Sequence, residues 1–189
     1  AAVGLAFLAA PIVKIILQTG EFTAQDTKLT SAALIFFAIS IPIESLVHLF
    51  ARLFYAHKKV WTPVLISITA VALNLILSYQ LALRLDWGAA GMALSFTIYT
   101  SFQLVSLLIF TQLKLLKLPY RQLVQKLLKV CVASLLMYGT LVLGESLLSS
   151  ETFLLKTFIL IVSGAFSYLL SAFILKCEEL AIIKKLSRL

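Results

Sequence analysis

Long apolar stretches alternate with short polar gaps along the whole chain, and this alternation predicts its secondary structure. A transmembrane helix needs about 20 mostly apolar residues, because the hydrocarbon core of a bilayer is about 30 Å thick. Six stretches approach or exceed that length: residues 1–17, 29–55, 62–83, 89–113, 124–143 and 153–175. The pattern therefore predicts an all-α fold, a polytopic transmembrane helix bundle with six spans.

The charges between the apolar stretches change sign from one gap to the next. Basic residues dominate the second gap, the fourth gap and the tail after residue 175. The acidic residues of the other three gaps are Glu21, Asp26, Asp86, Glu145 and Glu151. Because short basic loops stay in the cytoplasm, the alternation predicts that the second gap, the fourth gap and the C-terminus are cytoplasmic.

Composition excludes a soluble domain. Hydrophobic residues make up 61% of the 189 residues and charged residues 13%, with a mean hydropathy of +1.05, whereas soluble domains are about 45–50% apolar and about 25% charged. The net charge of +8 does not indicate nucleic-acid binding, because the basic residues flank apolar stretches and form no basic arm. The chain lacks an initiator methionine and opens inside an apolar stretch, so we expect it to be the C-terminal portion of a longer protein.

The second span carries polar residues at intervals of four, which places them along one helix face. They are Ser40, Glu44, His48 and Arg52. A carboxylate deep in a span must face a hydrated cavity, pair with another group or carry a proton. This stripe is the candidate substrate path, and the alternative is a Glu44–His48 hydrogen bond that packs two helices.

The third span carries a second candidate site, Asn74 with Ser78 one turn later. The amide carbonyl of Asn74 could coordinate a cation, or it could join two helices by hydrogen bonding. The sequence alone supports both interpretations equally. No catalytic motif and no pattern for binding a cofactor or metal is present, so the sequence predicts that the chain is not an enzyme.

Several ordered motifs together point to a family. They are PIV at 11–13, QTGEFT at 18–23 with DT at 26–27, FYA at 54–56 with TPV at 62–64, and Asn74 followed by GAAGMALS at 88–95. In order and spacing they resemble the MurJ (MviN) family, lipid II flippases of the multidrug/oligosaccharidyl-lipid/polysaccharide exporter superfamily.

The resemblance implies a two-lobed bundle of fourteen helices in the bacterial inner membrane, with this chain supplying helices nine to fourteen. It implies alternating access, in which a lipid-linked peptidoglycan precursor enters from the cytoplasmic leaflet and is released outside. The implied partners are that precursor, the membrane lipids and the missing N-terminal half of the same protein. Residues 1–113 would be four helices of one lobe, 114–129 a basic linker, 130–175 two accessory spans, and 176–189 a basic amphipathic tail.

The chain departs from the family pattern in three respects. The arginines that grip the diphosphate in the family come mainly from earlier helices, which implies that this piece alone does not transport. A sodium site in some members uses an asparagine and a carboxylate one turn later; Asn74 matches the first, but Ser78 stands at the second. Thr19 replaces the arginine of the family's R-G-x-F motif. The alternatives are an exporter of another lipid-linked oligosaccharide or of drugs, and a membrane scaffold that does not transport.

Overall fold

The computed structural model describes residues 2–17, 23–115, 120–147 and 153–174, and helices are the only regular structure in these ranges. They are α1 (Ala2–Phe7), α2 (Ala9–Leu17), α3 (Ala24–Ala56), α4 (Trp61–Ser78), α5 (Gly88–Lys114), α6 (Tyr120–Leu147) and α7 (Phe153–Ile174). A π-helix, Tyr79–Arg84, continues α4. The all-α prediction is confirmed. The predicted tail, 176–189, lies outside the described residues.

Four helical segments in the described ranges are long and apolar enough to cross a bilayer: Ala24–Ala56, Trp61–Arg84, Gly88–Leu113 and Leu127–Leu147. A shorter apolar segment, Leu155–Ser171, lies in α7. Four of the six predicted spans therefore correspond to described helices that are long and apolar enough to cross a bilayer. At about 1.5 Å per residue, the 33-residue α3 is about 50 Å long, so it exceeds the thickness of the hydrocarbon core unless it is strongly tilted.

The first predicted span is two short helices instead of one. α1 ends at Phe7 and α2 begins at Ala9, with a turn at Leu8. Pro11 explains the interruption, because proline has no N–H to donate to the carbonyl of the residue four positions earlier, here Phe7. Hydrogen bonds from Leu8 N to Gly4 O (3.0 Å) and from Ile12 N to Leu8 O (2.9 Å) still carry the chain through the turn.

Hydrogen bonds between Thr23 and Asp26 define the start of α3. Thr23 is the N-cap residue, and its hydroxyl accepts a hydrogen bond from the backbone N–H of Asp26 at 3.2 Å. The Asp26 carboxylate in turn accepts from the backbone N–H of Thr23 at 2.9 Å. This reciprocal capping box satisfies two donors that the helix leaves open. α3 then runs without interruption through Pro42, so the local break that proline allows does not occur.

The chain divides into two compact units, Ala1–Leu118 and Pro119–Leu189. In the first unit α5 packs against both α3 and α4, while α1 and α2 pack against α3. One end of this unit is held by a cluster of large apolar side chains from α3, α4 and α5. The buried members are Val47, Phe50, Phe54, Ile66 and Leu107.

In the second unit α6 and α7 pack against each other. Glycines allow this approach: a Cβ atom on Gly144 would lie 2.8 Å from the Leu160 side chain, and one on Gly164 would lie 2.9 Å from the Leu141 side chain. Helix packing through small residues is typical of membrane proteins. α6 begins at Tyr120, so it takes in residues 120–129 of the predicted linker.

Candidate substrate path and polar contacts within the bundle

The four residues of the α3 stripe differ in how far they are covered. Ser40 is buried, and its hydroxyl donates to the backbone carbonyl of Phe37 at 2.7 Å. The Glu44 side chain is half-buried, with 31% of its surface exposed, and the His48 side chain is 68% exposed. Arg52 is exposed. The stripe therefore runs from the interior of the first unit at Ser40 to its open surface at His48 and Arg52.

The Glu44 carboxylate is incompletely satisfied. Its Oε1 atom lies 3.4 Å from Nε2 of His48, one turn further along the same helix. Its Oε2 atom is buried and, among the side-chain atoms of the described residues, is the one buried oxygen or nitrogen without a hydrogen-bond partner. An unsatisfied carboxylate in an apolar helix is costly, which marks Glu44 as a functional candidate.

The contact between Glu44 and His48 also bears on the alternative interpretation. The two side chains meet within α3, and His48 is mostly open. Their contact therefore does not join two helices inside the first unit. Together with Arg52 the stripe offers hydrogen-bond acceptors, an imidazole and a guanidinium along one surface, which suits contact with a polar or charged headgroup. The described residues contain no cluster of three or more His, Cys, Asp or Glu side chains suited to a metal ion.

The second candidate site is built differently, because its polar side chains contact one another. The Asn74 Oδ1 atom accepts hydrogen bonds from the hydroxyls of Ser95, at 3.0 Å, and of Ser78, at 3.3 Å. The two serine hydroxyls also lie 2.5 Å apart. Asn74 and Ser78 belong to α4 and Ser95 to α5, so this cluster joins two helices.

The sequence analysis did not assign Ser95 to this cluster. The sequence does contain a clue to this contact. Leu85 lies in the turn between the antiparallel helices α4 and α5, and Asn74 and Ser95 are eleven and ten residues away from it, so they lie at similar depths in the membrane. Polar residues at equal depth on either side of a short turn are positioned to meet. Their meeting depends on the rotation of each helix, which the spacing within one span does not give.

Two further polar contacts also involve α5. Gln103 Nε2 donates to Ser67 Oγ on α4 at 2.8 Å, and Thr97 Oγ1 donates to the backbone carbonyl of Phe36 on α3 at 2.9 Å. The side-chain hydrogen bonds of α5 therefore reach both of its neighbours, and they fix its position between α3 and α4.

Comparisons with known proteins identify the family. A family model described as lipid II flippase MurJ matches residues 1–164. The chain belongs to this family. The family model thus confirms the resemblance seen in the motifs, and with the apolar helices it indicates a multi-pass membrane protein of a transporter family.

Individual relatives agree with the family model. The chain is 32% identical over 178 residues to a probable lipid II flippase MurJ of Thermotoga maritima, covering 94% of this chain and 35% of the relative. It is 32% identical over 187 residues to that of Aquifex aeolicus (95% and 34%) and 26% identical over 191 residues to that of Bdellovibrio bacteriovorus (100% and 36%). The chain thus spans about a third of the length of these curated relatives.

Proposed function

We propose that this chain is one part of a lipid II flippase and that the α3 stripe lines the path of the lipid-linked cargo. Membership of the MurJ family supports the cargo class. The single observation that carries the role of the stripe is the half-buried Glu44 carboxylate with its unsatisfied Oε2 atom, next to a mostly exposed His48. A surface that met only acyl chains would leave this carboxylate without compensation.

The proposed mechanism is alternating access between this half of the transporter and a preceding half. The headgroup of a lipid-linked peptidoglycan precursor carries sugar hydroxyls, a peptide and a diphosphate. The stripe would offer these groups hydrogen bonds and one guanidinium, while the isoprenoid tail stays in the bilayer. A charge that crosses the membrane gains about 2.3 kcal/mol per 100 mV, so membrane potential or an ion gradient can bias the cycle.

The finer topology is part of this proposal. Six spans, a cytoplasmic C-terminus and a location in the bacterial inner membrane follow from the charge alternation and the family. The partners are the lipid-linked precursor, the surrounding lipids and an N-terminal half of the same protein. The length of the relatives, about three times that of this chain, supports the missing half. We propose no enzymatic role, since the family is one of transporters.

Cation binding at Asn74 and Ser78 stays a prediction. The observed geometry favours hydrogen bonding between helices, because both serine hydroxyls can donate to the Asn74 carbonyl. A bound cation would require the same oxygens to turn their lone pairs toward one point. It would also gain no negative charge from Ser78, where the family pattern has a carboxylate.

Depletion of the full-length protein tests the cargo. Lipid II should accumulate on the inner leaflet when the protein is lost, measured by its accessibility to an external probe in cells or spheroplasts. Unchanged exposure of lipid II at the outer surface would refute the proposal. Loss of exposure of a different lipid-linked oligosaccharide would favour the alternative cargo, which the comparisons do not favour.

A further inference from the structure

The turn between α3 and α4 has an unusual residue at its centre. α3 ends at Ala56, and the backbone N–H groups of Lys58 and Lys59 donate to the carbonyls of Tyr55 and Phe54, both at 3.0 Å. These two bonds form a Schellman motif, which places the first residue after the cap in the left-handed region. That residue is Lys58, with φ of 57°. Glycine is the usual residue at this position, because a Cβ atom is disfavoured there.

Capping the helix does not explain this lysine. Cations near a helix C-terminus can stabilise it by contacting the last carbonyls. Here the carbonyls of Phe54 and Tyr55 already accept backbone hydrogen bonds. The carbonyl of Leu53 accepts from the backbone N–H of His57 at 3.3 Å and lies 2.9 Å from the His57 ring. The Lys58 side chain is exposed beyond these groups, so its charge is available to a partner outside the bundle.

The surroundings of Lys58 suit a membrane surface. Arg52 lies one turn before the end of α3 and is exposed, and the stretch from residue 45 to residue 85 contains no aspartate or glutamate. Trp61, the first residue of α4, is 78% exposed, and Tyr55 is exposed on the other side of the turn. Exposed aromatic rings beside a basic cluster are typical of the zone of lipid headgroups.

We propose that the α3–α4 turn, residues 55–61, binds the phosphate of an anionic phospholipid of the surrounding membrane, with Lys58 as its main contact and Trp61 at headgroup depth. The charge complementarity between this acid-free basic turn and an anionic headgroup supports this partner. The site is separate from the cargo path at Glu44. It rests on the chain being a membrane protein but not on the identity of the cargo.

The test uses the full-length protein in phosphatidylcholine nanodiscs that contain a photoactivatable phosphatidylglycerol, with crosslinked peptides mapped by mass spectrometry. We expect crosslinks in residues 55–61, and we expect Lys58→Gly to reduce them about fivefold, the effect of one lysine near an anionic surface. Glycine also relieves the backbone at this position. The variant should therefore melt in pure phosphatidylcholine at the same temperature as the parent or higher, which separates lost binding from lost folding.

Two variants serve as controls. Lys58→Arg keeps the charge and should crosslink like the parent, and Lys28→Gln, which removes an exposed cation near the start of α3, should leave the turn unchanged. Equal crosslinking by Lys58→Gly, or equal crosslinking of a photoactivatable phosphatidylcholine, would overturn the proposal. Displacement of the label by lipid II but not by unlabelled phosphatidylglycerol would also overturn it, since the turn would then bind the cargo and not a membrane phospholipid. These expected results do not depend on the flippase function, so they would stay the same if the chain transported a different cargo.

Discussion

The two polar sites of the first unit look alike in sequence and differ in structure. Both place polar residues one turn apart inside an apolar helix. In the α4–α5 cluster, Asn74, Ser78 and Ser95 are within hydrogen-bond distance of one another across two helices. In the α3 stripe, Glu44 keeps one buried oxygen without a partner and His48 is mostly exposed. The difference indicates that the cluster holds the unit together, whereas the stripe is open to groups outside it.

The largest expected effect comes from Glu44. In the full-length protein, Glu44→Ala should reduce lipid II transport about 10- to 100-fold, which corresponds to losing a hydrogen bond to a charged group. The melting temperature should fall little, because the carboxylate is poorly satisfied inside the unit. Transport is measured by flipping in vesicles or by complementation of a depleted strain.

Ser171 provides the matched control for Glu44. It is buried in α7 and its hydroxyl donates only within its own helix in the described contacts, to the carbonyl of Tyr168 at 2.9 Å. Ser171→Ala should therefore leave transport close to that of the parent. If both variants transported equally well, the α3 stripe would be a packing feature like the cluster.

The next largest effect concerns the contact between α5 and the π-helix. A Cβ atom on Gly91 would lie 2.8 Å from the backbone C and O atoms of Leu81, which cannot move aside as a side chain can. Gly91→Ala should destabilise the protein by about 1–3 kcal/mol, measured by thermal unfolding in detergent. Gly139→Ala in α6 meets no atom within 4 Å and should be neutral or slightly stabilising. A fully stable Gly91→Ala protein would contradict the packing seen here.

A smaller effect is expected in the cluster itself. Asn74→Leu keeps the volume of the side chain but removes the acceptor of two hydrogen bonds, so it should destabilise by about 1 kcal/mol. Transport should fall only as far as the lower stability explains. Abolished transport with unchanged stability would instead support cation binding at Asn74.

The smallest effect should come from Gln103. Gln103→Leu removes one hydrogen bond, to Ser67, whose hydroxyl can turn to a backbone carbonyl of its own helix. We expect a loss of about 0.6 kcal/mol. A loss larger than that of Asn74→Leu would mean that this contact, rather than the cluster, fixes α5 against α4.

The sequence predicted what depends on local chemistry. Apolar length predicted helices at all six stretches. The start of α3 is likewise local, because Thr23 and Asp26 form its capping box within four residues. The interruption at Leu8 was missed because the prediction rested on the length of the apolar stretch alone. Length does not show that Pro11 lacks the N–H that would bond to the carbonyl four residues earlier. Ser95 was missed as a partner of Asn74 because their meeting depends on how two helices are rotated.

The α3 stripe likewise shows what residue spacing cannot predict. Spacing placed Ser40, Glu44, His48 and Arg52 on one face, but it could not show that this face passes from buried at Ser40 to exposed at His48. Burial depends on where α5 covers α3, a tertiary property. The unsatisfied Glu44 Oε2 atom could likewise be found only from coordinates.

Solvent access to the α3 stripe tests the central claim most directly. His48→Cys and Leu75→Cys are introduced separately into a cysteine-free full-length protein, because His48 and Leu75 are similarly exposed, at 68% of the side chain and 66% of the residue. Each variant is treated with a hydrophilic, membrane-impermeant thiol reagent from either side of sealed vesicles. The account predicts rapid labelling at position 48, slowed by lipid II, and slow labelling at position 75, which faces acyl chains. Equally slow labelling at both positions from both sides would contradict a hydrated path along α3.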